Sequence, residues 1–128
     1  MYFKWGLIIC AAILVFIGLR MHYDPELFTT REFPLALGSA FEVAVTMRHL
    51  LASFIIALAS IAFFSSNIKD AVSQRSILNG CILAFGIMCI TLGTLTFMQM
   101  AELRGGSILF GVLSIICLFN RLTIKKSE

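Results

Sequence analysis

Glu42, Thr46, His49, Ser53 and Ser60 follow one another at steps of four, three, four and seven residues within an apolar stretch. On a helix turning about 100° per residue these positions share one face. Histidine changes charge near neutral pH, and a neighbouring carboxylate favours its charged form. Glu42 and His49 are therefore read as a proton-handling or ligand-binding pair, with His49 about two turns deeper in the helix than Glu42. The same side chains also serve as hydrogen-bonding glue between helices, and that structural role is the preferred expectation. Arg48 falls off the stripe and is expected to extend its head towards an outer interface.

A second set of polar residues lies in the segments flanking this helix. His22, Asp24, Glu26, Arg31, Glu102 and Arg104 are expected to converge on the Glu42–His49 face, by ion pairing rather than metal binding. Carboxylates with histidine suit a divalent metal, but H-E-x-x-H and comparable spacings are missing. No metal site or cofactor is expected. Gly105-Gly106 after Arg104 reads as a tight turn or an anion-binding helix start. Cys10, Cys81, Cys89 and Cys117 all fall in apolar stretches without a C-x-x-C pair, so they are expected to behave as small hydrophobes, the first, second and fourth at similar depth. Ser-His-Asp, Cys-His, P-loop and dinucleotide patterns are likewise missing. No catalytic residue is assigned, and an enzyme is the less favoured class.

The elements that must hold these residues are four apolar runs, at about 5–23, 42–64, 77–98 and 107–122. About twenty apolar residues cross a bilayer core as a helix. The chain is 59% hydrophobic and 13% charged, with a mean hydropathy of +0.97. Soluble domains average about 45–50% apolar and about 25% charged, so lipid is the partner the composition demands. A net charge of +3 is too small to point to nucleic acid. The expected fold is all-α: residues 1–128 as a single integral membrane domain, an antiparallel four-helix bundle in up-down-up-down order.

The first run has the charged start and apolar middle of a signal peptide, but Leu19-Arg20-Met21-His22-Tyr23 offers no small-residue cleavage site, so it is read as a retained span. Pro25 and Pro34 are expected to break helix between the first two spans, with Asp24-Pro25 starting a turn and the part from Phe33 to Phe41 lying on the membrane surface or folding back over the bundle. Asn67–Ser76 and Gln99–Gly106 read as short connections. One side of the four spans holds Lys4, Lys69, Arg75, Arg121, Lys125 and Lys126; the other holds Arg20, Arg31, Arg48 and Arg104 with five of the seven acids. Basic residues favour the cytoplasm, which puts both ends there and the chain in a cell membrane, the bacterial inner membrane being the expected one.

Small residues recur at helical spacing: Asn79, Gly86 and Gly93 in the third run, Ser107, Gly111 and Ser114 in the fourth, Gly6 and Cys10 in the first. They are expected to let helix backbones pack closely. Length, four spans, a proline-containing loop after the first (Asp24-Pro25) and an arginine-bearing entry to the second (Met47-Arg48-His49) give a layout that resembles the small DoxX-like membrane proteins. Some of that family are subunits linked to quinone-dependent oxidation, and the resemblance carries over no catalytic residue. Three functions are expected in this order. The first is an accessory or scaffold subunit binding another membrane protein or lipid. The second is a small oligomeric carrier or channel using the stripe of the second span. The third is an intramembrane proton-transfer or quinone-site enzyme.

Overall fold

The computed structural model describes residues 2–98 and 101–124. These form five helices: α1 (Tyr2–Tyr23), α2 (Pro25–Glu32), α3 (Ser39–Ser65), α4 (Ala71–Phe97) and α5 (Arg104–Thr123). Four of them, all but α2, are long and apolar enough to cross a membrane. The basic tail residues Lys125 and Lys126 and the turn residue Gln99 lie outside the described residues.

Helix α2 replaces the irregular loop expected after Tyr23. Asp24 is its N-cap, with Oδ1 accepting from the Leu27 N–H at 3.1 Å, and Pro25 opens the helix. Proline is tolerated there because a first-turn N–H has no helical partner to lose. Pro34 acts in the expected sense: it disfavours helical backbone at Phe33, the C-cap, whose N–H closes on Thr29 O. Gly38 then takes φ 57° and ψ −134° immediately before α3, a backbone region open to glycine alone. The later connections are shorter than expected. Asp70 caps α4 through the Ser73 N–H at 2.8 Å, so residues 71–76 are already helical. Gly105 and Gly106 belong to α5 instead of a turn.

Contacts run in the order α3–α1–α5–α4, while α3 and α4, consecutive in sequence, share no substantial interface. Residue pairs run in opposite senses across the α1–α3 and α4–α5 contacts: His22 and Gly18 of α1 meet His49 and Ile56 of α3, and Cys89 and Ile82 of α4 meet Ser107 and Ser114 of α5. Gly18 meets Ala52 and Ile56 across the α1–α3 seam, and Gly6 meets Asn120 across the α1–α5 seam. Ser107 meets Cys89 and Ser114 meets Ile82 across the α4–α5 seam. The buried centre is apolar, with Leu7, Leu14, Leu78 and Leu113 fully enclosed. Helix α2 and the segment before α5 close one end, here the cap end; the opposite end is the base.

Candidate functional site

The α3 stripe faces outward. Glu42, Thr46, His49, Ser53 and Ser60 are all exposed, so the stripe lies beside the buried face of α3 and only His49 and Ser53 of it reach across to another helix, at His22. Ala52, Ile55, Ala59 and Ala62, at steps of three and four, form the buried face of α3 instead. Small side chains there let α1 approach closely, and each hydroxyl has a partner within α3: Thr46 donates to Glu42 O, Ser53 to His49 O and Ser60 to Ile56 O, each at 3.0 Å. Such back-bonding to the preceding turn satisfies a hydroxyl inside its own helix.

His49 pairs with His22, not with Glu42. The two Nδ1 atoms are 3.0 Å apart and the ring centroids 5.3 Å apart. Ser53 Oγ lies 3.2 Å from His22 Nε2. No side-chain hydrogen bond of Glu42 exists among the described residues. The reason is axial register. His22 is the penultimate residue of α1, so residues 39–48 of α3 overhang it by roughly 15 Å at about 1.5 Å per residue. The depth expected for His49 along α3 is therefore the level at which α1 ends.

Arg48 also departs from expectation. It does not reach outward: it is 6% exposed and its Nη2 sits 2.5 Å from Glu32 Oε2, itself 18% exposed. Helix α2 lies against this overhanging part of α3 and supplies the carboxylate. A buried guanidinium requires such a partner. Its Nε remains buried with no hydrogen-bond partner among the described residues. Glu32 also anchors the segment before α5, its carbonyl accepting the Glu102 N–H at 2.9 Å. Thr29, fully buried, donates to Pro25 O at 2.8 Å. Glu32 escaped the sequence reading, although an arginine within a span is itself a signal to look for a carboxylate in the adjoining loop.

The other expected site residues disperse. Asp24 caps α2, Glu102 contributes its backbone, and Arg31 is exposed. Arg104 borders a groove of about 560 Å³ between α4 and α5, with Gly93, Thr96, Phe97, Ser107 and Ile108. A smaller groove of about 320 Å³ lies at the base, among Phe3, Lys4, Lys69 and Gln74. Gly86 faces Ser114, Gly93 faces Ser107, and Gly111 faces Cys89 across the α4–α5 seam. All four cysteines are free, with Cys10 and Cys117 buried and Cys81 and Cys89 partly buried. Among the described residues no group of three or more His, Cys, Asp or Glu is arranged to hold a metal ion.

Outside the membrane-compatible helices, Asp70 has its carboxyl held below the usual range by hydrogen bonds from Ser73, side chain first and backbone N–H second. No family model, curated protein or solved structure matches the chain.

Proposed function

We propose that the protein is an integral membrane accessory subunit that docks a helix of another membrane protein on the free face of α4. Membrane residence is supported by area. The surface is 8585 Å², whereas a water-soluble monomer of 14.2 kDa exposes about 6,800 Å². Phe16, Phe54, Phe64, Ile90, Ile115 and Phe119 are among the exposed apolar side chains. Lipid accepts such a surface at no cost, and the four long helices then form an antiparallel spanning bundle. With Lys4, Lys69, Arg75 and Arg121 at the base, that end faces the cytoplasm, and the cell membrane, bacterial inner membrane included, is the proposed location. The DoxX-like layout fits the same placement.

The observation that carries the accessory reading is the unpartnered side of α4. Only Leu78 and Phe85 of this helix are buried. Ser76, Gly80 and Ala84 are exposed at four-residue steps, and nothing lies within 4 Å of where a Gly80 side chain would start. Small residues at this spacing let a second helix approach closely in lipid, where packing replaces the hydrophobic drive. The carrier and enzyme readings rest on the α3 stripe, whose hydroxyls are already satisfied within α3, so they have the weaker support.

A photo-crosslinker placed at position 84 in cells tests this. A protein adduct of defined mass, lost in Gly80→Leu, is expected. Adducts with lipid alone would overturn the reading, and an adduct with a second copy of this chain would replace the accessory role with self-association.

A further inference from the structure

Two lysines far apart in sequence meet at the base. Lys4 comes from the first turn of α1 and Lys69 from the connection between α3 and α4, and both line the groove of about 320 Å³ there. Both are exposed, and neither forms an ion pair or a side-chain hydrogen bond among the described residues. The arginines at this end are engaged: Arg75 Nη2 donates to Ile124 O at 2.8 Å, and Arg121 Nε donates to Asn79 Oδ1. Asp70 is the one acid at the base among the described residues. Its Oδ2 accepts the Ser73 N–H at 2.8 Å, which ties it to the start of α4. Two free ammonium groups thus share a groove that no carboxylate lines.

The groove also holds a buried hydroxyl. Thr29 and Ser66 are the buried hydroxyl residues among those described. Thr29 donates to Pro25 O, whereas Ser66, 3% exposed, makes no side-chain hydrogen bond among the described residues. A buried hydroxyl calls for a partner. Among the described residues only Arg48 Nε is both sealed and unpartnered. The Ser66 hydroxyl therefore keeps an opening, and the groove is what Ser66 lines.

The connection carrying Ser66 and Lys69 is ordered by its own bonds. The N–H groups of Ser66, Asn67 and Ile68 bond to Ala62 O, Phe64 O and Ser65 O, and Gln74 Nε2 donates to Ile68 O at 2.7 Å. Donors ordered before a ligand arrives lower the cost of binding it.

Three membrane-compatible helices begin or end around this groove: α1 and α4 start there and α3 finishes. Phe3 and Ile68 give it apolar walls, and Trp5, 57% exposed, follows Lys4. Tryptophan at a helix end belongs at the headgroup level of a bilayer. The volume is at the lower end of the range for ligand sites, about 300–1,000 Å³. It suits a headgroup whose acyl chains lie along the exposed helix faces. Basic pockets between spanning helices bind anionic headgroups.

We propose that this groove binds the phosphodiester of an anionic phospholipid in the leaflet at the base, with Lys4 and Lys69 balancing its charge and Ser66 donating to a phosphate oxygen. A zwitterionic lipid brings its own cation towards the lysines and is the poorer ligand. The site rests on membrane residence but is independent of what docks on α4.

Native mass spectrometry of the full chain in mild detergent, titrated with phosphatidylglycerol or with phosphatidylcholine of the same acyl chains, tests this. One phosphatidylglycerol held per chain is expected, in preference to phosphatidylcholine. Lys4→Gln combined with Lys69→Gln should weaken it about 30-fold, at about fivefold per basic residue. Ser66→Ala leaves the net charge unchanged and should weaken it about tenfold, the loss of one hydrogen bond to a charged group. Lys125→Gln combined with Lys126→Gln removes the same charge from the tail and should leave affinity unchanged. Equal affinity for the two lipids, or equal losses from the two double variants, would overturn the proposal. So would an unchanged affinity in Ser66→Ala of wild-type helicity. Displacement of the lipid by millimolar inorganic phosphate would assign the groove to a soluble anion and overturn the lipid site. A chain that stays monomeric in plain buffer would remove membrane residence itself, whereas absent lipid selectivity in a detergent-requiring chain overturns this site alone.

Discussion

The α1–α3 seam and the α4–α5 seam join helices of similar length by different means. Between α1 and α3 the contact is steric: Gly18 lies against Ala52 and Ile56, flanked by buried Leu14 and Ala59. Its interhelical hydrogen bonds among the described residues are confined to the His22–His49–Ser53 cluster at one end. The α4–α5 seam carries polar links along its length. Ser107 Oγ donates to Cys89 O at 2.9 Å, Ser114 Oγ to Ile82 O at 3.2 Å, and Arg121 Nε to Asn79 Oδ1. The comparison teaches that both devices expected of helices in lipid, close approach at small residues and hydroxyl-to-carbonyl bonding, occur here, each dominating one seam.

Enlarging the contact residue should separate the two most sharply. A Cβ on Gly18 would stand 2.6 Å from Ile56 and 3.1 Å from the Ala52 carbonyl oxygen. Gly18→Leu is expected to abolish the folded form in mixed-micelle unfolding titrations. Gly80→Leu, on open surface, is expected to stay within about 0.5 kcal/mol of wild type. Equal losses from the two would show that α4 has a hidden neighbour.

The next effect concerns the cap that lies over the α1–α3 half. Arg48→Ala removes one partner of a buried ion pair and leaves Glu32 uncompensated, a loss of about 3–5 kcal/mol. Replacing both residues with apolar side chains of similar volume should recover most of it. If Arg48→Ala is nearly neutral in the same titration, the guanidinium reaches outward after all.

Ser114→Ala probes the polar seam. A single interhelical hydrogen bond in lipid is worth about 0.6 kcal/mol on average and about 1.7 at most, so a small loss is expected. A loss comparable to that of Arg48→Ala would mean that the serine bonds carry the α4–α5 pair.

The smallest effect is set by pH at the start of α4. Asp70 has a folded-state pKa below its unfolded value, so its contribution is present above the ordinary carboxylate range and is lost as pH falls through the lowered value. The protection of the first-turn amides of α4, taken relative to their intrinsic exchange rate at each pH, should fall at acid pH, and Asp70→Ala should flatten that dependence while leaving the two seams unchanged.

Much of the molecule follows from one-dimensional pattern. Runs of about twenty apolar residues are long and apolar enough to cross a membrane as helices, and in a bilayer a single span closes its backbone hydrogen bonds only as a helix. The caps at Asp24 and Asp70 are equally local, although Asp24-Pro25 reads as a turn until Pro25 is recognised as a helix opener. Periodicity placed Glu42, His49 and Ser53 on one side of one helix. It carried no information about how far α3 slides past α1, or about which neighbour that side would meet.

Tertiary structure decided those matters. The overhang of residues 39–48 brought His49 level with His22, turned Arg48 under α2 towards Glu32, and left Glu42 alone. It also kept α3 and α4 apart, freeing the Ser76–Gly80–Ala84 face. The physical reason is that a helical repeat fixes angles around an axis. Displacement along the axis and the choice of neighbour come from packing between side chains distant in sequence, such as Gly18 against Ile56.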